Sequence, residues 1–159
     1  MKRPGTALVV AGLTLAVLAI SVPGALREAR AHGVFYLFST RFFEDLPKRL
    51  LGPGRFRFIL QPATALFIGW RAGRADARAG RPPYLRGLLF HAEHRAAMAR
   101  ETAEGIAVLL LMGILLDSVA QWAILGISYP GAALVIGPVL ITLPYTAARS
   151  LAGNVRKEG

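Results

Sequence analysis

Residues 106–125 read IAVLLLMGILLDSVAQWAIL, twenty residues with a single charge, Asp117. As an α-helix they rise about 30 Å, the thickness of bilayer hydrocarbon. Arg95, Arg100, Glu101 and Glu104 precede the run, and Gly126 breaks it. A charge-free link, GISYPG, leads into a second apolar run from Ala132 to Thr146. These two runs predict a membrane-spanning helical hairpin, and the rest of the chain reads around it.

A length of 159 residues suggests one domain. Hydrophobic residues make up 54% and the mean hydropathy is +0.47, only modestly above a soluble chain. The membrane reading therefore rests on segregation, because long uncharged runs alternate with Arg-rich ones. Sixteen of the nineteen basic residues are Arg, and the formal net charge is +10. Arginines flanking apolar runs suit anionic lipid headgroups. Nucleic acid is not the expected partner, since no basic, soluble-looking block is long enough to fold alone. The chain has no cysteine, which excludes disulfides, thiolate metal sites and a cysteine nucleophile.

From the N-terminus, Lys2-Arg3 precedes an uncharged run, GTALVVAGLTLAVLAISV at 5–22. It reads as a first span or signal anchor; a cleaved signal peptide is the alternative, with Ala29-Arg30-Ala31 as a weak cleavage site. Residues 25–51 mix charge with Phe35, Phe38, Phe42 and Leu46 at helical spacing. That spacing predicts an amphipathic helix in the interface, or a helix packed by its aromatic face on the protein's own spans. Gly52-Pro53-Gly54 ends it.

Residues 55–80 predict one helix of two characters. Its front, 56–70, is apolar but rises only about 21 Å, short for a span unless its flanking arginines snorkel. Pro62 kinks it. Its back projects Arg71, Arg74 and Arg78 along one face, and Gly80 followed by Pro82-Pro83 terminates it. Residues 71–105 form a basic connector, with a short surface helix whose Leu85, Leu88 and Leu89 face inward. The expected fold is thus all-α and integral to the membrane, with about four segments at 5–22, 56–70, 106–125 and 131–147.

Charge sets the expected orientation. The link has none, while seven arginines lie in 71–105 and Arg149, Arg156 and Lys157 follow the hairpin. The positive-inside rule puts the link outside and the C-terminus in the cytoplasm. If 56–70 spans, six basic residues of 24–55 lie outside, against the rule. If it is re-entrant, Lys2-Arg3 lies outside instead. Four segments with both termini inside is the preferred arrangement.

Asp117 is the leading candidate for chemistry, because an intramembrane acid is expensive. Gln121 lies one turn on, and Arg57 and Gln61 reach a similar depth in the four-segment arrangement. The expectation is a structural partner bonding Gln61, Arg57 or Tyr145; a proton- or ion-linked transport subunit and contact with a partner protein are the alternatives. His91 and His94 share a helix face with Glu101 and Glu104 nearby, a weak zinc candidate lacking HExxH spacing and the least favoured route to an enzyme. Arg71, Arg74, Arg78 and Arg81 form the expected lipid contact, with a docking partner as the alternative. No nucleotide loop, nucleophile elbow or cofactor motif is present.

The run RFRFILQPATALFIGWRAGRADARAGRPPYLRGLLF, followed by EHR, resembles a segment of small uncharacterised bacterial inner-membrane proteins. The likeness covers about forty residues, 55–95, and the hairpin is similar in kind. It implies a bacterial inner-membrane protein and no activity. The expected function is a non-enzymatic accessory, scaffold or assembly component that binds anionic lipid, a partner membrane protein or a second copy.

Overall fold

The computed structural model describes residues 4–154, which form helices joined by short turns and loops, with no strand among them. Lys2, Arg3, Arg156 and Lys157 lie outside the described residues. The helices are α1 (Pro4–His32), a short 3-10 turn (Tyr36–Phe38), α2 (Thr40–Leu51), α3 (Arg57–Arg78), α4 (Tyr84–Phe90), α5 (Ala92–Leu125) and α6 (Pro130–Asn154). Three helices are long and apolar enough to cross a membrane, over Gly5–His32, Ala92–Leu125 and Pro130–Asn154. On α1 the side chains of Leu8, Leu15 and Ile20 are each about two-thirds exposed or more, an outward apolar surface suited to lipid and not to water.

Several boundaries depart from the sequence reading. The first apolar helix does not stop at Val22 but runs through Pro23 to His32. Residues 25–51 therefore form no single amphipathic helix. Gly33, at φ +69°, breaks the chain; Phe35 precedes the 3-10 turn and Phe38 ends it, both exposed, while Phe42 is buried on α2. The buried face of α2 is instead Phe42, Asp45 and Arg49, at i, i+3 and i+7. Residues 71–105 are no separate connector either, since α3 takes the front and α5 the back. On α4 the buried residues are Tyr84 and Gly87; Leu85 and Leu89 are exposed, opposite to expectation. The reason is close packing, because a Cβ on Gly87 would meet Met98 Sδ at 2.6 Å. The expected single helix over the ILQP-to-DAR run does form, through Pro62, and Gly80 at φ +70° follows it as a left-handed stop.

The chain forms two compact units: Met1–Ile59 with Val108–Val139, and Leu60–Ala107 with Leu140–Gly159. In the first, Tyr36, Phe42, Tyr129 and Ala132 make an apolar cluster against which Leu46 and Ile136 pack. The Tyr36 and Tyr129 rings stack with centroids 3.8 Å apart. Thr14 of α1 donates to the Leu111 carbonyl of α5 at 3.3 Å, and a Cβ on Gly137 would lie 2.8 Å from the Gly113 backbone, so α5 and α6 cross closely there. In the second unit, Gly69 and Gly73 of α3 abut the α6 backbone at Tyr145 and Arg149. The Leu85 amide donates to Ser150 Oγ at 3.2 Å.

Candidate functional site

Each unit buries one arginine–carboxylate cluster. In the first unit Asp117 is fully buried on α5, inside an otherwise uncharged run. Arg49 Nη2, from α2, donates to both its oxygens at 2.7 and 2.6 Å. Gln121, one turn on, donates Nε2 to Oδ2 at 2.8 Å, and its own Oε1 accepts the Tyr129 amide at 2.9 Å, tying the hairpin link to the cluster. Arg57, at the start of α3, brings Nη2 to 3.2 Å from Oδ1. Of the expected partners Gln61, Arg57 and Tyr145, only Arg57 reaches Asp117; Gln121, expected on the same polar face, bonds it as well. Arg49, the shortest ion pair to Asp117, was not among the expected residues. Tyr145, an expected partner of Asp117, bonds Arg149 instead. Gln61 is buried, and neither polar atom of its side chain has a hydrogen-bond partner among the described residues.

In the second unit Arg149 of α6 grips Asp76 of α3 with two nitrogens, Nε to Oδ2 at 2.6 Å and Nη2 to Oδ1 at 3.1 Å. Its Nη1 also donates to Thr102 Oγ1 at 2.8 Å and Tyr145 Oη at 3.1 Å, and the guanidinium lies 4.5 Å from the Tyr84 ring centroid. Arg81 reaches Glu101 with 2.9 and 2.7 Å bonds, and that carboxylate holds the Arg81 guanidinium protonated beyond its usual range. The second cluster lines an open cavity of about 410 Å³, faced by Ala72 and Ala75. Its four charges balance. Asp76 and Arg149 were missed in the sequence, although Asp76 is the lone acid among the arginines of α3.

The surface candidates divide. Arg71, Arg74 and Arg78 are exposed, as a lipid face requires. Arg81 departs from that face, since its guanidinium is held by Glu101 and, at 3.5 Å, by Asp76. The His91 and His94 ring centroids stand 6.3 Å apart, and His91 Nδ1 lies 3.2 Å from the Arg86 carbonyl. Among the described residues no group of three or more His, Cys, Asp or Glu is placed to hold a metal.

Chemically, the two clusters differ. The second is neutral and its arginine is saturated. The first sets two guanidiniums against one carboxylate, and counting the neighbouring Asp45–Lys48 pair leaves the same excess of one positive charge. No family model, curated protein or solved structure matches the chain.

Proposed function

We propose that this chain is a small non-enzymatic component of a bacterial inner membrane, crossing it four times with its C-terminus in the cytoplasm. It serves as an accessory, scaffold or assembly protein, binding anionic lipid and a partner membrane protein or a second copy. The observation that carries this reading is the engagement of Asp117, which accepts three hydrogen bonds and faces a second arginine. A carboxylate so occupied anchors helices; an acid that relays a proton or ion needs an approach that these partners leave no room for, which weighs against the transport reading. The bacterial placement rests on the likeness of residues 55–95. Lipid binding rests on the exposed row Arg71, Arg74 and Arg78 on the last turns of α3.

Native mass spectrometry of the full chain with phosphatidylglycerol and cardiolipin tests it. The R71Q/R74Q/R78Q variant should retain these lipids more weakly, by about 1 kcal/mol per arginine removed. Unchanged retention would count against the lipid face and favour a protein partner there.

A further inference from the structure

We infer that the first unit holds one anionic phospholipid at a defined position, with its phosphate on Arg57 and part of one acyl chain in the groove beside it. Arg49 and Arg57 are both almost fully buried, and they share a single carboxylate. The sharing is unequal. Arg49 takes both oxygens of Asp117 from one nitrogen, and Gln121 takes Oδ2 again. Arg57 is left with an ion-pair contact at 3.2 Å that is not aligned as a hydrogen bond. Its Nη1 donates only to the Gly54 carbonyl, at 3.3 Å, and its Nε and Nη2 have no acceptor. The Phe58 ring, 4.5 Å from the guanidinium carbon, covers a face but accepts none of the in-plane N–H bonds. A buried guanidinium short of acceptors and of counter-charge is costly, and an anion relieves both deficits.

Arg57 also lines a cavity. That cavity, about 210 Å³, is walled by Gly54, Phe56, Leu116, Val119 and Ala123 and is otherwise apolar. Phe56 and Val119 are about half exposed at its mouth. It follows the last turns of α5, which ends at Leu125, and abuts the loop before α3, so it opens where helices end. One cationic group beside an apolar channel on a lipid-facing surface matches an amphiphile with an anionic head, and the membrane supplies phospholipid there. Gly54 keeps the approach open, since its φ of +78° is a left-handed conformation and a Cβ there would sit 3.3 Å from Arg57 Nη1.

The inference rests on the membrane reading but not on the arginine row of α3, and the test separates them. Full-length protein in detergent is titrated with phosphatidylglycerol or phosphatidylcholine and observed by native mass spectrometry. The wild type should keep one tightly bound phosphatidylglycerol and discriminate against phosphatidylcholine. A123W fills the channel from an exposed position while leaving every charge of the cluster in place, and should weaken that one lipid about tenfold or more at unchanged thermal stability. R57Q should lose it as well. R71Q/R74Q/R78Q should keep the tight copy while losing weaker ones. Equal retention of the two lipids by the wild type, or an A123W protein of normal stability that binds phosphatidylglycerol as the wild type does, overturns the inference.

Discussion

At the scale of single residues, Asp117 changes meaning between sequence and structure. A lone buried acid kept for hydrogen bonding tolerates asparagine. Facing Arg49 and Arg57, it does not, because Asp117→Asn leaves two buried guanidiniums without a counter-charge. The expected loss is about 3–5 kcal/mol, read as a fall in the thermal midpoint in detergent. The combined variant R49M/R57M/D117L removes all three charges and should lose less than D117N does. A second residue gives a pH signature. Burial, and then the Asp45 carboxylate, push the Tyr36 hydroxyl well above the usual tyrosine range, and that hydroxyl donates to Asp45 at 3.1 Å. With the folded value raised, the contribution is fully present below pH about 10 and is lost as pH rises through the folded value. Midpoints at pH 9 and pH 11 should therefore fall more steeply for the wild type than for Tyr36→Phe. Asp117 and Gln121 were legible because i, i+4 spacing in an uncharged run is a local signal. Arg49 lies 68 residues from Asp117, and no periodicity of α2 announces a partner on another helix.

At the scale of elements, the same division holds. The apolar helices and the α3 stop at Gly80 follow from local composition. The division of residues 25–51 does not, since it turns on Gly33 adopting φ +69° and on Tyr36 stacking on Tyr129, both settled by packing. Gly69 and Gly73 stand four apart, yet in sequence they appear only as dispersed glycines of an Arg-rich helix. Their purpose shows only against the α6 backbone. Paired substitutions test this. Gly73→Ala places a methyl against the Arg149 carbonyl and the Ala152 side chain, and should cost about 1–3 kcal/mol. Gly12→Ala on α1 meets nothing within 4 Å and should be neutral or stabilising by up to about 1 kcal/mol, from helix propensity alone. Thermal unfolding of both variants in one detergent checks the contrast, and equal effects would deny α3 its close approach.

At the scale of the whole molecule, topology is what the proposed arrangement must answer for. The hairpin link is not a free loop. Ser128 is fully buried, and the Tyr129 amide is fixed by Gln121, so a probe at Ser128 would report burial and not sidedness. Ser150, also buried, fails for the same reason. Gly131 and Asn154 are exposed, at the first and last turns of α6, and report its two ends. By the positive-inside rule a cysteine at Gly131 should react with an impermeant thiol reagent from outside, and one at Asn154 only after the cytoplasmic side is opened. The harder question is α3, a helix of 22 residues that carries arginine at both ends. If it crosses, the basic residues of 24–55 stay outside, against the rule. Arg41, Lys48 and Arg49 are held by Glu28, Asp45 and Asp117, so the folded state keeps three of the six without an anionic surface. If α3 does not cross, the N-terminal Lys2-Arg3 precedes a long apolar helix from the outer side, which is the less usual insertion. Thr40, exposed at the start of α2, decides between them. We expect Thr40→Cys to react from outside, together with Gly131→Cys. Reaction of Thr40→Cys from the cytoplasmic side alone, with Gly131→Cys still outside, would reduce the crossings to three and place α2 with the arginine row of α3 on the inner face.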